Sequence, residues 1–492
     1  MLRMAEAFAS KVLSNIFSRS TFAWVLGVTL LVPLSTVGEE PAVDASDSLQ
    51  QTVDRLQKLA LEGSGALELV RSLTTEVGPR LAGSPGDKAA VAWAEAKLNH
   101  LGFAYVRKEA VQVPHWRRIR EEGEILTPFP QTVVVAALGG SVATPPQGIQ
   151  AEVVKVASLE ALEELDAKQV AGKIVFFDGG MMPRAQDGSG YRIAVAPRGM
   201  GAARAAPKGA LAVLIRSAGT SNNRFAHTGG MRYPEGVKRI PAASLSNPDA
   251  DLLSDQLSRE VPVRFRLTLE TEELPEETSY NVIGEIRGRE KPSEIVLLGA
   301  HLDSWDLGTG AIDDGSGCAI VMEAARLIGQ LPQAPRRTVR VVLFANEEFG
   351  LSGARAYAAA HEAEMELHKG GAEADFGAGR VWNFRAGVEP NRLEDAKALA
   401  RYLEPLGIKF GGLEAFGGAD LSPLGEFRVP RFDLTQDGTT YFDYHHTDND
   451  TFDKIVPADL AQNVAAYATW AYLMAEMEMD LGRGPEPLPR RR

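Results

Sequence analysis

The chain has 492 residues, 45% of them apolar, and a formal net charge of −13. That length calls for more than one small folded unit, and the acidic balance excludes a sequence-independent nucleic-acid binder, which needs a basic surface. A single cysteine, Cys318, excludes both an intramolecular disulfide and a cysteine-built zinc site, so metal or acid–base chemistry falls to His, Asp and Glu.

The N-terminus reads as a targeting segment. Arg3, Lys11 and Arg19 precede an apolar run at 21–34, small residues follow at 35–38, and the chain then turns acidic. This is the order of a secretory signal peptide over residues 1–38, which implies export to the periplasm or the exterior and no stable membrane association afterwards. The apolar run falls short of the about 20 residues that a membrane span needs, which leaves an uncleaved N-terminal anchor as the second reading.

Past a polar lead-in, Leu49, Val53, Leu56 and Leu59 predict a helix over 48–62. A second helix is expected over 66–77, stopped by Gly78-Pro79-Arg80, and a third over 87–101, ended by Gly102. A strand over 103–113 follows. This opening, residues 45–121, lacks the apolar surface to close a core alone and needs a partner later in the chain. From 122 to 275 the texture changes. Strand-like runs at 133–138, 151–156, 173–177, 211–215 and 261–269 are short and divided by Gly/Pro turns. No cluster of His with carboxylates appears there, so the stretch reads as an inserted β-rich module without chemistry of its own.

From 276 to 482 the pattern is α/β, with strands expected at 281–286, 294–298 and 338–344 and helices at 316–331, 350–360, 393–403 and 461–474. The run at 338–344, TVRVVLF, is nearly all apolar, as expected of a strand covered on both faces. His361 and His368 fall on a polar stretch and are expected in solvent, and Cys318 is expected to be a small buried residue. The Pro- and Arg-rich stretch 483–492 reads as a disordered tail.

Three polar clusters carry the chemistry. An apolar run at 295–298 leads into His301 and Asp303, and an acidic pair, Asp313-Asp314, follows before a glycine-rich helix start. The second apolar strand runs into Asn346-Glu347-Glu348. In open α/β sheets, sites gather beyond the carboxyl ends of strands. Imidazole and carboxylate form a ligand set that suits zinc. Adjacent glutamates repel, so they read either as one metal ligand beside one free base or as a solvated helix start. The third cluster pairs His445 and His446 with Asp448 and Asp450.

Set in order, His301 with Asp303, Asp313-Asp314-Gly315, Glu347-Glu348 and His446-Thr447-x-x-Asp450-Thr451 resemble the co-catalytic di-zinc exopeptidases of the aminopeptidase type. The resemblance runs over nearly the whole chain after the targeting segment and includes GPRLAGS at 78–84, PHW at 114–116, TPPQGI at 144–149 and HTGG at 227–230. It implies an α/β sandwich of the zinc-exopeptidase type, interrupted by a protease-associated-type domain at 122–275. It also implies two zinc ions per chain. His301 and Asp375 would bind one, Glu348 and His446 the other, and Asp313 would bridge them. Glu347 would be the general base, and Asp303 would orient His301 by accepting its second N–H. A cis peptide between Asp313 and Asp314 is implied as well. Glu373 stays open as an alternative to Asp375, and His445 is left to line the substrate pocket. The implied activity is hydrolysis of short peptides, dipeptides first, by a homodimer, with an aminopeptidase on longer peptides as the alternative. A binding protein on a decayed peptidase fold is disfavoured, because every catalytic role has a candidate residue.

Overall fold

The computed structural model describes residues 45–486. The targeting segment and residues 487–492 lie outside that range. Among the described residues no helix is long and apolar enough to cross a membrane.

Three helices open the compact unit that begins at Ser46: α1 (Ala45–Gly63), α2 (Ala66–Ser72) and α3 (Pro85–His100). Ser84 caps α3, accepting from the Asp87 N–H at 3.2 Å, with Pro85 in the first turn. A helix can therefore start two residues before the expected Asp87. The expected helix over 66–77 is α-helical only to Ser72, and residues Leu73–Val77 form a wider π turn.

Strand β1 (Ala104–Thr127) runs far past the expected end at 113 and pairs antiparallel along its length with β6 (Arg264–Ile286). The charged stretch after Trp116 hides the strand from a hydrophobicity reading. Its charges are cross-strand partners: Arg117 meets Glu272, Arg120 meets Glu270, and Arg266 meets Glu124. The expected module boundaries at 122 and 275 fall inside these two strands. Between them in sequence lie four short parallel strands, β2 (Ile149–Val156), β3 (Ile174–Phe177), β4 (Ala212–Arg216) and β5 (Ala242–Leu245), with helix α4 (Ala196–Ala205) before β4.

The remaining chain supplies β7 (Lys291–His301), α5 (Ser316–Gly329), β8 (Arg337–Phe344), α6 (Ser352–Ala360), β9 (His368–Glu373), β10 (Val381–Gly387), β11 (Arg431–Gln436) and α7 (Pro457–Glu476). One sheet runs in the order Lys409–Gly412, β10, β11, β9, β7, β8, β6, β2, β3, β4, β5, Val135–Ala137. Its centre is parallel: β9, β7 and β8 point the same way. Strand β8 is buried throughout, and its side chains alternate between two cores. Val339, Val341 and Leu343 pack among the helices α1, α2, α5 and α7, while Val342 and Phe344 pack with Ala354 and Tyr357 of α6. The mixed α/β sandwich expected from the sequence is the fold observed.

Two local expectations fail. His368 is 3% exposed and bonded to the Tyr357 hydroxyl at 2.9 Å, and His361 is set between Glu109 and Glu364. Both belong to a polar network under α6 rather than to solvent. The tail is fixed where it is described: the Gly484 N–H donates to the Arg428 carbonyl at 2.7 Å, and Arg483 pairs with Glu366.

Candidate metal centre

Parallel neighbours β9, β7 and β8 end side by side, so the residues just beyond their carboxyl ends converge without long loops. His301 closes β7, Asp375 lies two residues past β9, and Glu347-Glu348 turn off β8 after Ala345 and Asn346. Asp313 comes from the turn Ala311–Gly315 that enters α5, where the Asp313–Asp314 peptide is cis.

Asp313 stands at the middle with its two oxygens facing different partners. Oδ1 lies 3.2 Å from His301 Nε2, which is itself 3.4 Å from Asp375 Oδ1. Oδ2 lies 3.2 Å from His446 Nε2, which is 2.8 Å from Glu348 Oε2. Nitrogen and oxygen ligands at about 2.0–2.1 Å around a tetrahedral ion sit about 3.3 Å apart, so both spacings around His301 fit a metal, whereas around His446 the Asp313 spacing fits and the Glu348 spacing is shorter. His445 Nε2 also approaches Asp313 Oδ2, at 3.5 Å, and its ring stacks on His446 with centroids 3.5 Å apart. Asp313 Oδ2 and Glu348 Oε1 are buried with no hydrogen-bond partner. Unsatisfied carboxylate oxygens in such a place suit a cation.

The electrostatics agree. Burial pushes Glu347 well above the usual carboxylate range, with Asp375, Glu348 and Asp303 adding to it. Burial and the Asp313 charge raise Glu348 to about 7. Asp313 stays well below the usual range in spite of its burial, because His445, His301 and His446 face it. Burial, then the charge of His446, pushes His445 well below the usual imidazole range. Buried acids that repel one another favour the arrival of compensating positive charge.

The supports around the centre are specific. The Asp450 carboxylate accepts from three successive backbone N–H groups, Ala311 and Ile312 at 2.8 Å and Asp313 at 3.2 Å, and so fixes the turn that presents Asp313. Asp314 turns away from the centre. Its oxygens accept from the His301 N–H at 3.1 Å and the Gly317 N–H at 3.0 Å, tying β7 to the start of α5. Asp303 stands beside His301 and also serves the two glutamates. The His301 Nδ1 atom lies nearer the Asp303 backbone oxygen, 3.1 Å, than its carboxylate, 3.6 Å. The carboxylate also accepts from the N–H groups of Glu347 and Glu348, at 3.0 and 3.4 Å. Glu373, the alternative to Asp375, is directed elsewhere, accepting from the N–H groups of Asp420 and Leu421.

Two supports escaped the sequence reading. Arg80 is fully buried, and its guanidinium donates to the carbonyls of Leu302, Thr309 and Gly310 at 2.6, 2.7 and 2.9 Å, clamping both ends of the loop between His301 and Asp313. The other support is Thr228. Its carbonyl lies 3.2 Å from His446 Nδ1, and its N–H donates to the His446 carbonyl at 3.0 Å. No local pattern marks a backbone contact across 218 residues. Above the centre opens a cavity of about 450 Å³ lined by Glu347, Asp375, Tyr191, Arg198, Phe349 and His445, among others.

Comparison with known proteins follows the same line. The profile of peptidase family M28 matches residues 281–471, which hold every one of these centre residues. Carboxypeptidase Q of Mus musculus is 35% identical over 417 residues, covering 84% of this chain and 86% of that protein. The crystal structure of a peptidase M28 precursor from Shewanella amazonensis is 51% identical, with a TM-score of 0.88, over 90% of this chain and 100% of that one. A zinc aminopeptidase of Bacillus subtilis shares the fold, with a TM-score of 0.60 at 23% identity, over 86% of this chain and 98% of that one. The chain belongs to peptidase family M28.

Proposed function

We propose that the protein is an exported di-zinc exopeptidase that hydrolyses short peptides, dipeptides first, and works as a homodimer. The observation that carries this reading is the division of Asp313: one oxygen faces His301 and Asp375, the other His446 and Glu348. That arrangement gives each of two ions three protein ligands, counting the shared carboxylate, and leaves room on each for substrate. Two zinc ions held there would supply Lewis acidity, lowering the pKa of a water toward about 7 and polarising the scissile carbonyl.

The chain's own residues do the rest. Glu347 lines the cavity next to Glu348 and makes no ion pair among the described residues. Two cations at the centre would offset the burial and like charges that raise it, leaving a carboxylate able to take the proton from the attacking water. It then returns that proton to the leaving amine, as a general base becoming a general acid. Asp303 fixes both glutamates through their N–H groups, which aims Glu348 at the ligand set and Glu347 at the water. The stretch 122–275 is proposed as a protease-associated-type insert. Its Arg198, Gly230 and Arg232 line the same cavity, in keeping with a cover over the cleft.

The test combines metal analysis and dipeptide hydrolysis in the wild type and Glu347→Gln. Both proteins should hold about two metals per chain, since Glu347 is not a ligand, and the variant should lose at least about 10²-fold in rate. A fully active variant would remove Glu347 from the mechanism.

A further inference from the structure

The cavity over the Asp313 centre has two chemically different walls. One carries the carboxylates Asp313, Glu347, Glu348 and Asp375; the other, from the stretch 191–232, carries Arg198 and Arg232. Arg198 belongs to α4 and is half-buried. Its Nη1 donates to the Tyr191 hydroxyl at 3.0 Å and reaches the Thr228 carbonyl at 3.5 Å. The guanidinium carbon lies 5.6 Å from the centroid of the Tyr191 ring, which stacks on Phe442 at 4.4 Å. Gly229, at φ +139°, makes room for it: a Cβ there would stand 2.4 Å from Arg198 Nη1. The cation is thus held in place from three sides.

What it lacks is an anion. Among the described residues neither Arg198 nor Arg232 pairs with a carboxylate, and the polar contacts of Arg198 use only Nη1 of its five N–H donors. The neighbouring His446 Nδ1, at 3.4 Å, is no acceptor when Nε2 faces the centre. A half-buried guanidinium without a counter-charge, beside a centre built to take cations, is unfavourable until a negative group arrives.

We propose that Arg198, with Arg232 lining the same cavity, anchors the free C-terminal carboxylate of the peptide and so determines which bond is cut. This rests on the peptidase reading above and gives it a direction. In a dipeptide the carboxylate stands one residue beyond the scissile bond, about 3.8 Å of chain. Only the imidazole of His446 separates Arg198 from the centre, so a carboxylate one residue past the cut falls within reach. A carboxylate several residues further on does not. The fork of the guanidinium suits a carboxylate bidentately, which a lysine cannot reproduce in full.

The test compares kcat/KM for a dipeptide and its C-terminal amide. The wild type, Arg198→Gln and Arg198→Lys are assayed after their metal contents are shown to match. The wild type should prefer the free acid over the amide by about 10–100-fold, mainly in KM. Arg198→Gln should bring that ratio close to one, and Arg198→Lys should restore part of it. An acid-to-amide ratio that Arg198→Gln leaves unchanged overturns the proposal, as does a wild type that cleaves both equally. A wild type that cleaves neither overturns the peptidase reading and this proposal together, whereas cleavage of the amide alone overturns only this one.

Discussion

The two halves of the centre are built by different means. His301 and Asp375 sit at the ends of neighbouring parallel strands, so the spacing of the sheet sets their separation, and His301 is oriented by a carbonyl two residues away. Glu348 and His446 come from a turn and a loop. His446 has φ +63°, a left-handed conformation rare outside glycine, and its ring and backbone are both held by Thr228 from the other side of the cleft. The first half follows from the fold itself. The second depends on contacts between distant segments and is the half that remote substitutions should disturb.

The largest effect should come from the residue common to both halves. Asp313→Ala removes a ligand from each group, so both metals should be lost and activity should fall at least about 10³-fold, since the Lewis acidity at stake is worth several kcal/mol. Metal analysis checks it. Retention of one metal would show that the halves do not share Asp313. A smaller effect is expected of Asp303→Asn, which weakens the acceptor for the Glu347 and Glu348 N–H groups while leaving the carbonyl that faces His301 in place. The rate should fall about 10–100-fold, with the metal on the Glu348 side bound more weakly. Weakening on the His301 side instead would favour the role the sequence suggested for Asp303.

Thr228→Val tests the remote support directly. The Thr228 hydroxyl donates to the Ala137 carbonyl at 2.8 Å and accepts from Arg118 at 2.9 Å, and these bonds hold the carbonyl that faces His446. Valine keeps the shape and removes both bonds. About a 10-fold loss of affinity is expected for one of the two metals only, seen as one shifted phase in a zinc titration against a chelator. Equal shifts in both phases would erase the distinction between the halves.

The same division governs what the sequence made legible. Apolar runs ending in His301 and in Glu347-Glu348 announced the strand-end residues, because a buried strand has nowhere to place such groups except beyond its end. The body of the α/β fold was legible for the same reason, as β8 shows, with apolar residues on both faces. Strand β1 was read too short because its outer half is stabilised by cross-strand charges rather than by burial. Asp375 was reached only through resemblance, since its neighbours at 373–377 carry no periodic signal. Thr228 lay in the HTGG stretch that carried the resemblance, but its role was not legible, and Arg198 was not legible as a site residue at all. Their roles arise from long-range packing, and nothing in their own neighbourhoods requires it.

The smallest prediction concerns acid. His227, next to Thr228, is 2% exposed, and burial followed by the charge of His446 lowers its pKa to about 3. The unfolded chain takes up a proton on this residue near pH 6.5 while the folded chain does not, so stability present above pH 6.5 is lost as pH falls toward about 3. The slope is about 1.4 kcal/mol per pH unit in that window, roughly 2 kcal/mol between pH 6.5 and pH 5. His368, lowered to about 4 by its burial under α6, contributes in the same direction but far from His446. Urea unfolding of the wild type, His227→Gln and His368→Gln at pH 7 and pH 5 separates the two. Each variant should show a shallower acid loss than the wild type, and the difference between the two pH values cancels any fixed destabilisation the substitution brings. Only the residue beside Thr228 should couple that loss to metal release, on the His446 side first. If His368→Gln alters acid-induced metal release as much as His227→Gln does, acid acts on the whole fold, and the second half of the centre is no more dependent on distant contacts than the first.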